Sequence, residues 1–275
     1  YETALRSVTY RSTSDDPTVA NTRNSRTVTW VVTDANSDSV GAQTSTGVTS
    51  TINIAAVNDA AVMVAGANRA YTEGVSATAI SSGLTLSDVD DTAIASGATV
   101  SITAGLTSGD VLSIASGSLL GGATASYNSG TGVLTFTGST TVSNYQSMLR
   151  AVSFSSTSED PTSQSTTRTV TYSVTDANAS AASNSAQTTT ATSTVTITAV
   201  NDTPVGTAGG SLAYTENGAA TAIDTTITLI DVDDTQIVGA TVTITSALTG
   251  DVLGFTGQND ITGIYDASTG VLTLT

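Results

Sequence analysis

AVNDTPV at residues 199–205 and its earlier copy AVNDAAV at 56–62 decide how this chain is read. Each closes an alternating apolar run (TVTITAV at 194–200 before the later copy), passes through an Asn-Asp pair and starts a new apolar segment. Alternation with period two marks a half-buried strand, and the polar pair marks a joint, so the stretch reads as the last strand of one β-domain and the first of the next.

Working outward, the copies extend far beyond the joint. NDAAV at 58 and NDTPV at 201 lie 143 residues apart, as do YTEG at 71 and YTEN at 214, and DVDDT at 88 and 231. YETALRSVTYRSTSDDPT at 1–18 matches YQSMLRAVSFSSTSEDPT at 145–162, and TDAN occurs at 33 and 175. Such self-similarity defines a tandem array. Residues 58–200 form one complete repeat, 1–57 the C-terminal part of another, and 201–275 the N-terminal part of a third. The ends supply 132 of the roughly 143 residues of a repeat, and neither end can bury its apolar face alone. Two expectations follow: a window cut from a much longer chain, or copies whose tail completes the head of the next.

Composition narrows the class. The chain is 275 residues long, 39% hydrophobic and 4% aromatic, rich in Thr, Ser, Ala, Val and Gly. That is strand-and-turn composition. Cys, His and Lys are absent, and twenty-three acids against seven Arg give a formal charge of −16. Nucleic acid and anionic lipid are therefore disfavoured as partners, and divalent cations favoured. No apolar run approaches the ~20 residues of a membrane span, so direct membrane insertion of this segment is not expected. Without His or Cys the commonest general bases and nucleophile pairs are missing, and no aromatic cluster suggests a sugar platform, so the chain is not expected to be an enzyme.

Within the complete repeat, strands are expected over 62–71, 80–86, 99–103, 111–114, 124–127, 133–136, 152–154, 169–174 and 194–200. NSGTG at 128–132 reads as a hairpin turn. TVSNYQSMLRAV at 141–152 breaks the alternation. Tyr145, Met148, Leu149 and Val152 follow helical spacing behind Ser143 as cap, predicting one short helix over the end of an antiparallel sandwich. The single Trp, Trp30, falls where Tyr172 stands in the next copy and reads as core. Arg6 and Arg150 share one place in two copies and read as partners of nearby acids. The run TTTATST at 188–194 reads as an edge strand or as a site for O-linked sugars.

Consecutive connections in an antiparallel sandwich alternate between its two ends, which places the acids. Glu73, Glu159 and Asp160 fall at the foot of a repeat, and Asp88, Asp90, Asp91, Asp176 and Asn178 at its head. One joint then collects Asp15, Asp16, Asn58, Asp59, Asp88, Asp90, Asp91, Asp176 and Asn178. The other collects Glu73, Glu159, Asp160, Asn201, Asp202, Asp231, Asp233 and Asp234. DVDDT in isolation reads as a solvated turn, since Asp is a common turn residue. Co-location and recurrence favour a cation instead, because so many carboxylates would otherwise repel or take up protons. Ca²⁺ suits six to eight flexible oxygen ligands, whereas Zn²⁺ prefers Cys and His.

A foot Glu, a foot acid pair, a linker Asn-Asp, a head Asp-x-Asp and a head Thr-Asp-Ala resemble the cadherin interdomain calcium pattern. YQSMLRAVSFSSTSEDPT, RTVTYSVTDAN and VTITAVNDTPV together resemble the cadherin-like repeats of giant bacterial surface adhesins. The resemblance covers the whole chain. It implies tandem immunoglobulin/cadherin-like antiparallel β-sandwiches, stiffened by Ca²⁺, in an extracellular, secreted stalk on the bacterial cell surface whose partners are neighbouring repeats. The first linker lacks the Pro that Pro204 supplies to the second, and Ser-Asp-Asp-Pro or Ser-Glu-Asp-Pro stands where such repeats carry Asp-Arg-Glu. An alternative expectation is a self-assembling surface-layer or filament subunit, with other copies as partners.

Overall fold

The computed structural model describes residues 1–178 and 185–275, and the chain divides into two compact units, Tyr1–Ala199 and Val200–Thr275. It is an all-β protein whose only α-helices among the described residues are short.

The first unit opens with helix α1 (Glu2–Arg6) and a hairpin of β1 (Ser25–Trp30) and β2 (Val48–Asn53), in which Trp30 lies opposite Val48. The complete repeat follows: β3 (Val62–Val64), β4 (Arg69–Thr72), β5 (Thr78–Ala79), β6 (Thr85–Ser87), β7 (Ala93–Ile94), β8 (Ala98–Ala104) and β9 (Asp110–Ser113). Then come β10 (Thr124–Asn128), β11 (Val133–Thr137), β12 (Thr140–Thr141), helix α2 (Val142–Arg150), β13 (Ser153–Ser156), β14 (Thr167–Thr175) and β15 (Thr188–Thr198).

Six strands form one sheet in the order β10-β11-β8-β14-β15-β4. Shorter ladders, β5-β13-β9, β3-β6 and β7-β12, supply the other side. Strand alternation decides which residues enter the core: in TRTVTYSVT of β14 every second residue is buried, Arg168, Val170, Tyr172 and Val174, while the Thr and Ser residues between them face outward. Val100 and Ile102 of β8, Leu134 and Phe136 of β11, and Val195 and Ile197 of β15 join them. Leu112, Phe154, Ile80 and Leu84 pack from the opposite layer. Side-chain period two thus converts an unremarkable Thr/Val sequence into one contiguous core.

Helix α2 buries Tyr145, Met148 and Leu149, the residues its spacing selects. Its N-cap is Thr141, whose hydroxyl accepts from the Asn144 amide, and not Ser143, which lies inside the helix. The turn between β10 and β11 holds the expected hairpin register, Asn128 opposite Val133.

Three expectations are corrected. Residues 62–71 are not one strand, because β3 pairs with β6 whereas β4 pairs with β15. The change of partner falls around Gly66, whose amide donates to Ser81 Oγ at 2.6 Å and where a Cβ would crowd the backbone of Gly83. Residues 80–86 are likewise interrupted, leaving strand only at Thr78–Ala79 and Thr85–Ser87. The sandwich is not purely antiparallel: β4 and β15 run parallel, Val195 beside Arg69 and Ile197 beside Tyr71. The first and last strands of the repeat both run toward its foot, so placing them side by side makes them parallel.

The second unit contains β16 (Val205–Thr207) paired with β17 (Thr228–Ile230), and a sheet ordered β18 (Ala240–Thr243), β20 (Val271–Leu274), β19 (Gly263–Asp266). These repeat β3-β6 and β8-β11-β10 of the complete repeat, with Val205 opposite Ile230 as Val62 is opposite Ser87.

Candidate functional site

At the head of the complete repeat, ligand oxygens of Asp88, Asp91 and Asp176 lie within 4.8 Å of one another. Local backbone chemistry builds this group. Asp88 Oδ1 accepts from the amides of Asp90 and Asp91 at 3.1 and 2.9 Å, folding DVDD into a tight Asx turn. Asp91 Oδ2 accepts from the Ala177 amide at 3.1 Å, drawing in the loop after β14. Asp176, fully buried, accepts from the Gln187 amide at 3.0 Å and from Asn58 Nδ2 at 3.0 Å. The linker is held a second time, because the Asp59 amide donates to Asp90 Oδ2 at 3.1 Å.

The donors run out before the acceptors do. Asp88 Oδ2 and Asp90 Oδ1 are buried and accept no hydrogen bond among the described residues. Neither residue makes an ion pair there. Burial first, and the adjacent Asp90 carboxylate second, push the Asp88 carboxyl up to about 6. A carboxylate taken from water beside another carboxylate favours its neutral form unless a cation compensates. The donor set, all hard oxygens without nitrogen or sulfur, fits Ca²⁺ or Mg²⁺ better than a transition metal.

The second unit repeats the device. Asp231, Asp233 and Asp234 form a group of the same kind. Asp231 Oδ1 accepts from the amides of Asp233 and Asp234, and Asp233 Oδ2 accepts from the Asp202 amide at 3.1 Å. Asn201 Nδ2 donates to the Asp202 carbonyl as Asn58 Nδ2 does to that of Asp59. Asp202 Oδ2 and Asp233 Oδ1 are again buried without a hydrogen-bond donor among the described residues.

At the foot of the complete repeat, oxygens of Glu73 and Glu159 lie within 4.8 Å of each other. Asp160 follows Glu159 in a loop pinned by its amide to Ser158 Oγ and by its carbonyl to Ser163 Oγ. Sequence reasoning missed the residue that positions this pair. The Tyr71 hydroxyl accepts from the Ser156 amide at 3.0 Å and lies 3.1 and 3.2 Å from the carbonyls of Ser156 and Val75, tying the turn that bears Glu73 to the strand that leads to Glu159. The recurrence of Tyr-Thr-Glu at 71 and 214 was its signal.

Other expected ligands stand apart. Asp16 spends both oxygens on its own turn, accepting from the amides of Thr18 and Ala20, and Asp15 beside it is exposed; neither belongs to the Asp88 group. Asp59 is exposed and contributes its amide to the group. Asn178, half-buried with φ 44°, lies just beyond Asp176.

Two other readings are corrected. Arg6 does pair with Glu2 at 2.6 Å, but Arg150 donates from Nε to the Leu84 carbonyl and makes no ion pair among the described residues. Trp30 is only half-buried, donating from Nε1 to Ser50 Oγ, whereas Tyr172 is fully buried. A wholly buried ion pair was not foreseen at all: Arg168 Nε meets Asp110 Oδ2 at 2.6 Å with both side chains inaccessible to solvent.

No protein-family model and no curated protein matches this chain. No helix among the described residues is long and apolar enough to cross a membrane.

Proposed function

We propose that this chain is a non-catalytic, calcium-binding spacer: a run of cadherin-like repeats in an extracellular bacterial adhesin or surface fibre, stiffened by Ca²⁺ held at the acidic ends of its repeats. One observation carries the reading. A constellation of Asp88, Asp90, Asp91 and Asp176, locked in place by backbone amides and by Asn58, leaves carboxylate oxygens buried without donors, and its Asp-x-Asp-Asp part, with the linker amide bound to it, recurs 143 residues later. Maintaining such a site twice without a cation would cost stability at both places. Asn58, Asp88, Asp90, Asp91 and Asp176 are the residues that would hold the ion in the first unit. Bound there, it would neutralise the carboxylates and fasten the linker to two head loops.

Calcium titration followed by calorimetry and by thermal unfolding tests this, with Mg²⁺ as the comparison ion. Extracellular modules bind Ca²⁺ at roughly 10⁻⁴–10⁻³ M, and a ligand at a hundred times its Kd adds about 2.7 kcal/mol of stability. Asp91→Asn should abolish most of the gain in the first unit. Identical unfolding in millimolar Ca²⁺ and in chelator would overturn the proposal. Small-angle scattering reports the stiffening separately, as a longer maximum dimension with Ca²⁺ than with chelator.

A further inference from the structure

Strand β4 is where the chain enters the six-stranded sheet of the complete repeat, and β15 is where it leaves. Upstream, β3 pairs with β6 in the other layer, and the chain changes layer around Gly66 to place β4 on the sheet edge beside β15. The two strands are parallel, Arg69–Thr72 against Val195–Thr198, and both run from head to foot. The chain therefore arrives at the head end of β4 and departs from the foot end of β15. Tension along it draws β4 headward and β15 footward, along the strands and in opposite directions. The evenly spaced bonds of a parallel ladder then lie across the load and share it, whereas a pull that parts the strands from one end breaks them in turn.

This ladder is reinforced at both ends. The Thr194 amide donates to Asn68 Oδ1, and the Glu73 amide donates to the Thr198 carbonyl, each at 3.0 Å. Tyr71, opposite Ile197, anchors β4 to the other layer. Its ring is 1% exposed and meets Phe154 edge-on, and its hydroxyl accepts from the Ser156 amide at the end of β13. On its far side β15 is held by nine residue pairs with β14, Thr167–Thr175 against Thr188–Thr196. The four pairs that join β4 to β15 are thus where the load concentrates.

We propose that the β4–β15 ladder is a force-bearing clamp: tension along the chain passes from β4 directly to β15 in shear, and the repeat resists unfolding until β4 slides past β15. The far side of the sheet, β8, β11 and β10, lies outside this load path. The clamp gives the repeat a mechanical function of its own. It is made of backbone bonds and the Tyr71 anchor, independent of the acids at the head, and is expected in chelator as well.

Single-molecule pulling on the 275-residue chain tests this, since the absence of native Cys lets handles be attached at chosen exposed positions. Ala67→Cys with Ala199→Cys loads the head end of β4 against the foot end of β15. Ser76→Cys with Ala199→Cys parts the two strands from the foot. In chelator, at one loading rate, the first geometry should rupture at a force at least about twofold higher, because the ladder pairs share the load instead of yielding in turn. Within the first geometry, Tyr71→Phe should lower the rupture force more than Leu134→Ala does. Leu134 lies in β11, with β8 and β14 between it and β15, and its loss removes more equilibrium stability than loss of the Tyr71 hydroxyl. Forced unfolding follows the barrier along the loaded path and not the equilibrium stability. Equal rupture forces in the two geometries, or a Tyr71→Phe chain that ruptures no more easily than Leu134→Ala, would each overturn the proposal.

Discussion

Asn58 Nδ2 donates to Asp176 Oδ2 at 3.0 Å, joining residues 118 positions apart and fastening the linker to the loop after β14. Asn58 is 3% exposed, so its amide is part of the interior. A hydrogen bond to a buried charged group contributes about 1.5–3 kcal/mol. Asn58→Ala should therefore lower stability by about 2 kcal/mol in urea unfolding, while Asn201→Ala, at the exposed counterpart, should change it by less than about 0.5 kcal/mol.

The Asp88 carboxyl gives a pH dependence whose sign depends on metal. Its folded pKa of about 6 stands above the ordinary 3.8, so the metal-free fold binds this proton more tightly than the unfolded chain does. Its contribution is fully present below the unfolded value and is lost as pH rises through 6. In chelator, wild type should therefore lose stability relative to Asp88→Asn between about pH 4 and pH 7. The variant keeps an oxygen for the amides of Asp90 and Asp91. In saturating Ca²⁺ at pH 7 the order should reverse, wild type becoming the more stable; thermal midpoints of the two proteins under both conditions check this.

What was legible in the sequence is what depends on periodicity or on local chemistry. The alternation in TRTVTYSVT gave β14 its buried face, NSGTG gave the β10–β11 hairpin, and the spacing of Tyr145, Met148 and Leu149 gave α2. Assigning loops to alternate ends of a sandwich grouped Asp88, Asp91 and Asp176 at one end, and Glu73 with Glu159 at the other, as the structure does. What escaped depends on long-range packing. The break at Gly66 exists because another backbone segment approaches it. The reach of Tyr71 to Ser156 and of Arg168 to Asp110 spans 85 and 58 residues, which no local pattern encodes. Only their recurrence, as Tyr214, Arg26 and Asp251, left a trace in the sequence.

Tyr71 combines two contributions that can be separated. Its ring meets Phe154 edge-on, with centroids 5.1 Å apart, and its hydroxyl satisfies the Ser156 amide. Tyr71→Phe keeps the ring and orphans that amide, which should cost about 1–2 kcal/mol. Tyr71→Ala also removes the buried ring, for about 3–5 kcal/mol. A ratio near one between these two losses in urea unfolding would mean that the hydroxyl, and not packing, holds the turn bearing Glu73.

The Arg168–Asp110 pair should behave as a unit. Both side chains are wholly buried, and each has further backbone partners, Pro161 and Ser165 carbonyls for the guanidinium and the Thr107 amide for the carboxylate. Removing one charge leaves the other desolvated and uncompensated, so Arg168→Met should cost about 3–5 kcal/mol, as should Asp110→Leu. The double replacement removes both charges together and should cost clearly less than the sum of the single losses. Urea unfolding of all four proteins closes the cycle. Strict additivity would show that the two residues stabilise β14 and β9 separately, through their backbone contacts, and not through the ion pair between them.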